Sequence, residues 1–232
     1  MSTGLADGVS ADGINYERLY DYRFRAVDQV GRQAVWREIA RYAYGRMGAP
    51  NRVLDPAAGR GEFISEVPAE ERWGVDRVGQ GMPESAGVKV TISDIMNASL
   101  PRDYFDGVFV SNFLEHLPSQ DAVADVLGKL HAVMEPGGRI AIMGPNFRYC
   151  FREYFDCADH SVILTHVAVA EHLHAAGFGV IEVVPRFLPY SFRGLLPPSP
   201  LLTRIYLRTP LLWPLLGRQF LVLARKERAP RD

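Results

Sequence analysis

The feature that most constrains the fold is an alternation of short apolar segments with stretches of helical periodicity, which begins near residue 50. Apolar runs predict seven strands, at 52–55, 73–76, 88–92, 105–111, 139–143, 180–184 and 220–224. Apolar positions at helical spacing predict helices over 121–134 and 167–176. Strands that alternate with helices favour an α/β fold with a doubly wound, mostly parallel sheet. No amphipathic helix of the usual kind separates the last two strands, so the last strand is predicted to be antiparallel.

The predicted domain organisation has two parts. Residues 1–13 are polar and are predicted to be disordered, and residues 14–232 are predicted to form a single domain. Within that domain, aromatic and apolar residues at helical spacing predict N-terminal helices over 14–49. Residues 187–219 form an insertion between the last two strands that is rich in leucine, proline and arginine.

Composition argues against several classes of protein. The chain has 26 basic and 27 acidic residues and a net charge of −1, so its charge does not favour nucleic acid as a partner. Two cysteines, Cys150 and Cys157, are too few for a disulfide framework and match no zinc pattern, and no metal site is predicted. The N-terminus lacks an apolar signal segment, and no run of about 18 apolar residues exists. We therefore predict a cytoplasmic protein.

Polar side chains follow the first four predicted strands. Asp55, Asp76 and Asp94 come after the first three strands, and Ser111 and Asn112 come at the end of the fourth. Because ligands bind at the carboxyl ends of the strands in open α/β sheets, we expect these residues to lie along one edge. Three carboxylates suit a cationic ligand with hydroxyl groups. Asp55 and Asp76 are 21 residues apart, which is the spacing expected when the second carboxylate accepts both hydroxyls of a ribose.

Five segments of the chain form an ordered series of motifs. They are VLDPAAGRGEF at the first strand, WGVDR at the second, SDI after the third, FDGVFVSNFLEHLP at the fourth, and LHAVMEPGGRIAIMGPN through the next helix, turn and strand. In this order they resemble the motifs of the class I S-adenosylmethionine-dependent methyltransferases. The resemblance covers about residues 50–184 and the last strand. It implies a Rossmann-like fold and S-adenosylmethionine as the cofactor.

The resemblance also implies roles for individual residues. The family's first motif is usually an aspartate followed by three alternating glycines, and here Ala57 replaces the first glycine. Asp76 matches the acid that holds the ribose, and Asp94 matches the acid that contacts the adenine amino group. The implied cofactor-binding residues are Asp55, Ala57, Gly59, Gly61, Asp76, Arg77, Asp94, Ile95 and Asn112. A non-catalytic scaffold module that keeps the cofactor-binding fold is the alternative to an enzyme.

Two histidines are candidates for the general base that an oxygen acceptor would need. His160 follows Asp159, and this pair is either a base with an orienting carboxylate or part of a hydrogen-bonded loop. His116 lies just after the fourth strand, near the implied cofactor site, and is either catalytic or structural. Residues 147–155 interleave aromatic residues with arginines, so they are predicted to line an acceptor pocket or to pack on the core as a lid.

The insertion at 187–219 leaves three interpretations open. Its short helices, Trp213 and arginines suit an anionic membrane interface, which would place the protein at the inner membrane face. They also suit packing on the domain or on a second subunit in a homo-oligomer, or a hydrophobic lid over the substrate. The insertion and the histidine segment resemble those of bacterial methyltransferases from polysaccharide and natural-product gene clusters. This resemblance implies a small-molecule acceptor, either the hydroxyl of a sugar or glycoconjugate, or a nitrogen or phenolic oxygen.

Overall fold

The computed structural model describes residues 15–25, 28–79, 87–190 and 198–228. The predicted disordered segment at 1–13 lies outside these residues. The helices are α1 (Tyr16–Phe24), α2 (Gln29–Arg46), α3 (Gln120–Val133), α4 (Phe147–Cys150), α5 (His166–Ala175), α6 (Pro200–Leu207) and α7 (Trp213–Leu216). The strands are β1 (Arg52–Asp55), β2 (Glu71–Asp76), β3 (Val88–Ile92), β4 (Phe105–Ser111), β5 (Met134–Pro145), β6 (Phe178–Val184) and β7 (Gln219–Lys226).

The strands form one seven-stranded sheet in the order β3-β2-β1-β4-β5-β7-β6. The first five strands in this order are parallel, and β7 is antiparallel to both of its neighbours, β5 and β6. The predicted α/β fold with an antiparallel last strand is therefore confirmed. The chain reverses its direction of progress through the sheet between β1 and β4. Ligands of doubly wound sheets bind outside the carboxyl ends of the strands at such a point.

The sheet is covered on both faces. Val108 and Phe109 are consecutive residues of β4, so their side chains point to opposite faces, and both are buried. Val108 belongs to a cluster that includes Leu127 of α3, whereas Phe109 belongs to a cluster that includes Ile39 of α2 and Leu207 of α6. The N-terminal helix α2 and the insertion thus share one face of the sheet.

Strand β5 is longer than the sequence indicates. The prediction placed a turn at 135–138 and began the strand at residue 139, but β5 begins at Met134, directly after α3. Met134 pairs with Phe105, and the register with β4 then shifts before Arg139 pairs with Gly107. Gly137 has a φ of 95°, a conformation that glycine adopts without a steric penalty. The expected turn is therefore an irregularity within the strand.

Three predictions about the whole chain concern membrane spans, cysteines and domain division. Within the described ranges, no helix is long and apolar enough to cross a membrane. Cys150 and Cys157 are both free thiols, as predicted. The predicted division into a disordered N-terminus and one domain remains a prediction.

Candidate active site

The loop after β1 leaves its backbone open to a ligand. Gly59 and Gly61 have φ angles of 56° and 76°, which favour glycine at both positions. The Gly61 amide donates to the Ala58 carbonyl over 2.7 Å, and the Ala58 amide donates to the Val75 carbonyl over 2.9 Å, so the loop is tied to β2. A Cβ atom added to Gly59 would meet nothing closer than a Glu62 oxygen at 4.0 Å. A ligand can therefore approach this part of the backbone closely.

The Asp76 carboxylate connects this loop to the end of β2. Its Oδ2 accepts the amide of Gly59 over 2.9 Å, and its Oδ1 accepts the amides of Val78 and Gly79 over 2.9 and 3.0 Å. Asp76 is only half-buried. Since each carboxylate oxygen has two lone pairs, Oδ2 retains capacity to accept a ligand hydroxyl.

The remaining predicted cofactor residues lie along the same edge but in different environments. Asp94 accepts the amide of Met96 over 2.8 Å, and its Oδ2 lies 3.7 Å from Nε of Arg77. Asn112 has a φ of 47°, in the left-handed region that few non-glycine residues adopt. The side chain of Ile95 is buried in the hydrophobic core, so only its backbone could face a ligand at this edge. The assignment of these residues to cofactor binding stays a prediction.

Asp55 is buried at the carboxyl end of β1. Its pKa rises from 3.8 to about 8, mainly because of burial and to a smaller extent because of the nearby carboxylates of Asp76 and Glu62. The Ala57 amide, which donates to Oδ1 over 3.3 Å, acts in the opposite direction without cancelling the effect of burial. In the ligand-free protein Asp55 therefore carries a proton at neutral pH.

We expect this proton to make the stability of the ligand-free protein pH-dependent. The unfolded chain loses the Asp55 proton near pH 4, whereas the folded chain keeps it until about pH 8, so Asp55 lowers stability progressively across this range. Asp55→Asn removes the titration. Its Tm should exceed that of the wild type by an amount that grows to at least about 3 °C at about pH 8.

Thermal unfolding of both proteins at about pH 5 and about pH 8 measures this effect. Asp125→Asn replaces an exposed carboxylate on α3 and is the matched control, which should show no such growth. An equal Tm difference between Asp55→Asn and the wild type at both pH values would contradict the buried, protonated state of Asp55.

His116 contacts Asp159 at the other end of the site. His116 ends a 3-10 turn, Leu114–His116, that follows β4. Its Nδ1 lies 3.1 Å from the backbone oxygen of Asp159 and 3.3 Å from Oδ2 of the same residue. Because both neighbours of Nδ1 are oxygen atoms, Nδ1 is the nitrogen that donates, so the neutral form of the ring has its lone pair on Nε2. This is the arrangement of a general base with an orienting carboxylate.

Asp159 is held in its charged form although its side chain is fully buried. Burial raises its pKa, but His116 and a hydrogen bond from Arg23 of α1 together lower it below its usual value. The charge of a buried carboxylate persists when a cation and hydrogen bonds compensate for lost hydration. Arg23 and Asp159 thus form a buried ion pair behind His116.

His160 is a weak candidate for the base, because its surroundings make the ring difficult to protonate. Burial and the neighbouring His116 lower its pKa to about 4, so it is neutral at physiological pH. Its ring packs edge-to-face against His116 and against Tyr154, with ring centroids 4.9 and 4.7 Å away. Asp159 lies in a turn with its Oδ2 3.3 Å from Nδ1 of His116, which favours His116 over His160 as the partner of this carboxylate; the catalytic role of His160 stays a prediction.

Glu115, His116 and His160 form a cluster of metal-ligand type, with one potential ligand atom from each within 4.8 Å of the others. Oε1 of Glu115 and Nε2 of His116 are 4.0 Å apart. Two ligands of a tetrahedral zinc ion would be about 3.3 Å apart, given metal–ligand bonds of about 2.0–2.1 Å. The cluster would have to contract to hold such an ion, and we assign no metal to it.

Helix α1 supplies residues that the sequence did not identify as part of the site. Burial raises the pKa of Tyr20, and the carboxylates of Asp159 and Asp76 raise it further, so Tyr20 lies close to both ends of the site. The guanidinium of Arg77 lies 5.6 Å from the ring centre of Tyr16. The spacing of Tyr16 and Tyr20 by four residues, on one face of a helix, was the available signal.

Comparison with known proteins identifies the family. The family model described as "Methyltransferase domain" matches residues 28–183, which is more than half of the chain. The chain belongs to this methyltransferase family. The match confirms the resemblance to class I S-adenosylmethionine-dependent enzymes that the motifs indicated.

Solved structures share the fold of this methyltransferase. An S-adenosylmethionine-dependent methyltransferase from Archaeoglobus fulgidus is 22% identical, with a TM-score of 0.66 over 91% of this chain and 100% of its own. The N-methyltransferase NodS from Bradyrhizobium japonicum, in complex with S-adenosyl-L-homocysteine, is 14% identical, with a TM-score of 0.61 over 92% of this chain and 98% of its own. The TM-scores establish a common fold, but the sequence identities are too low to define the acceptor.

A curated relative is much longer than this methyltransferase. CymA of Salinispora arenicola, named as a non-canonical nonribosomal peptide synthetase, is 29% identical over 137 residues. The match spans 54% of this chain and 2% of CymA. The activity of the synthetase as a whole therefore does not carry over.

Proposed function

We propose that this methyltransferase transfers the methyl group of S-adenosylmethionine to a hydroxyl oxygen of a sugar or glycoconjugate, with His116 as the general base. The contact of Asp159 with Nδ1 of His116 carries this proposal. An oxygen nucleophile benefits from a base that removes its proton, and a buried carboxylate behind an imidazole is the arrangement that supports such a base.

The edge formed by the loop after β1 and by the end of β2 fits the cofactor. Asp76 would accept hydrogen bonds from the ribose hydroxyls, and Asp94 would accept a hydrogen bond from the adenine amino group. The open backbone at Gly59 would allow the methionine part of the cofactor to approach. The bound cofactor would supply an electrophilic methyl group. Alignment of an acceptor with that group can contribute about 7–11 kcal/mol to the lowering of the barrier.

The pair of His116 and Asp159, which we call the dyad, would remove the acceptor proton. Nε2 of His116 has the lone pair that takes this proton, and the imidazolium that forms is stabilised by the Asp159 carboxylate. Arg23 keeps Asp159 charged between turnovers. General-base catalysis of this kind typically contributes about 10²–10⁴ to the rate.

Unpartnered buried polar atoms near the dyad favour a hydroxyl-rich acceptor. Among the described residues, Oδ2 of Asp159, Nδ1 of His160, Oδ1 of Asn146 and Oε1 of Gln219 are buried without a hydrogen-bond partner. Asn146 follows β5, and the Asn146 amide donates to the carbonyl of Arg218, so this residue adjoins the start of β7. Because buried polar groups without partners are costly, an acceptor with several hydroxyls would be bound better than an apolar one.

Two other functions are alternatives to methylation of a sugar hydroxyl. The similarity to part of CymA, named as a probable nonribosomal peptide synthetase, supports a natural product as the acceptor, with a nitrogen or a phenolic oxygen as the alternative to a sugar hydroxyl. The replacement of a motif glycine by Ala57 is the departure from the family pattern that keeps a non-catalytic, cofactor-binding scaffold as an alternative.

Methyl transfer from labelled S-adenosylmethionine to a panel of acceptors separates these functions. The panel pairs neutral sugars and nucleotide sugars with the matching amino sugars and with simple phenols. We expect label on hydroxyl oxygens of sugars. Transfer only to amines or phenols would replace the sugar assignment, and cofactor binding without transfer to any member would support the scaffold.

A further inference from the structure

The insertion at 187–219 has one face that the fold does not use. Its inner face is docked on the domain: Trp213 packs against Tyr42 and Phe187, with ring centroids 6.1 and 5.2 Å away, and Leu207 is buried. The hydroxyl of Tyr206 donates to the Phe187 carbonyl over 2.7 Å. In the described part of the insertion, 187–190 and 198–219, the outer face carries six apolar side chains that are between 49% and 86% exposed, namely Leu201, Leu202, Ile205, Leu211, Leu215 and Leu216.

The charge of this segment has one sign. Residues 187–219 contain four arginines and no aspartate or glutamate. The carboxylate that faces α6 is Glu38 of α2, which accepts hydrogen bonds from Arg204 over 2.7 and 2.8 Å and also lies 3.4 Å from Arg41. Arg208 further lowers the pKa of Glu38, so three arginines surround this one carboxylate, and the vicinity of Glu38 has an excess of positive charge.

The insertion emerges from the edge of the sheet that holds the candidate active site. Gln219 begins β7 opposite Pro145, the last residue of β5, and Leu221 pairs with Val184, the last residue of β6. The base of the insertion is anchored there by an ion pair between Arg218 and Glu153. The exposed apolar face is therefore attached to the acceptor end of the site.

We propose that this outer face inserts into the interface of an anionic lipid bilayer. Exposed leucines next to arginines suit the headgroup boundary of such a membrane. There the leucine side chains would be buried away from water, and the arginines would be attracted to lipid phosphates. The excess of arginines on this segment gives it charge complementarity to an anionic bilayer, which a second copy of the same positive segment would not offer. If the proposed function holds, the acceptor is presented at the membrane, as a lipid-linked sugar would be.

Co-sedimentation with vesicles tests this proposal on the full chain. We expect the wild type to sediment with vesicles that contain phosphatidylglycerol, and to do so less with pure phosphatidylcholine or at high salt. The double variant Leu211→Asp/Leu215→Asp should bind anionic vesicles at least tenfold more weakly. Val30→Asp, at an exposed apolar position of α2, is the matched control and should bind as the wild type does.

Two further measurements separate the alternatives. Calorimetric titration with S-adenosylhomocysteine should give equal affinities for all three proteins, which shows that the variants are folded and keeps this test independent of the proposed function. A wild type that stays in the supernatant with anionic vesicles, or a double variant that sediments as well as the wild type, overturns the proposal. A vesicle-free dimer that becomes monomeric in the double variant would assign the face to self-association instead.

Discussion

Asp76→Ala should weaken the binding of S-adenosylhomocysteine at least about 100-fold. The variant loses the carboxylate expected to accept two ribose hydroxyls, and hydrogen bonds to charged groups contribute about 1.5–3 kcal/mol each. It also loses the acceptor of the Gly59, Val78 and Gly79 amides, which releases the loop after β1 from the end of β2. Since about 1.4 kcal/mol changes affinity tenfold, calorimetric titration resolves an effect of this size easily.

Two companion variants identify the cause of the loss. Asp94→Ala removes a carboxylate that is expected to make a single contact with adenine, and should weaken binding less than Asp76→Ala does. Asp125→Asn, on the exposed face of α3, should bind as the wild type does. Wild-type affinity in a folded Asp76→Ala variant would refute the assignment of the ribose to Asp76.

His116→Ala should lower kcat by about 10²–10⁴ on an acceptor found by the screen, while the affinity for S-adenosylhomocysteine stays within about twofold. The loss follows from removal of the only imidazole that contacts the Asp159 carboxylate among the described residues. Added imidazole should restore part of the lost rate, an effect that a structural role for His116 would not produce. Single-turnover rates with and without imidazole measure both changes.

His160→Ala is the internal comparison for this prediction. His160 is neutral and its Nδ1 has no partner in the described part of the chain, so we expect a smaller loss of kcat and no rescue by imidazole. Asp159→Asn should lower kcat without rescue, because it leaves the base in place but removes the charge that stabilises the imidazolium. A larger loss in His160→Ala than in His116→Ala would transfer the role of base to His160.

Residues of the candidate cofactor site could be located from the sequence because each is coupled to a local pattern. Asp55, Asp76 and Asp94 each follow a short apolar strand, and a strand is recognisable from a few adjacent residues. Parallel strands of a doubly wound sheet then bring their carboxyl ends to one edge without further information. The series of motifs depends on the same local order of residues. This explains why the family match and the observed fold agreed with the prediction made from the motifs.

The pairing of residues on the proposed acceptor side could not be predicted in this way. Arg23, His116 and Asp159 belong to α1, to the turn after β4 and to the turn before α5, and no local pattern relates them. Adjacency in the sequence suggested Asp159 with His160, yet neighbouring side chains in a turn diverge, and packing of α1 set the partner of Asp159.

The sequence by itself determined the order of strands and helices, the family, and the acids at the ends of β1, β2 and β3, because these depend on periodicities and turns within a few residues. Only the tertiary structure decided that β7 lies between β5 and β6, that Asp159 orients His116, and that six apolar residues of the insertion face outward. Amphipathic spacing predicts that a short helix has an apolar face, but it does not predict which surface, if any, covers that face. Which groups meet, and which face stays uncovered, depends on contacts between segments far apart in the chain.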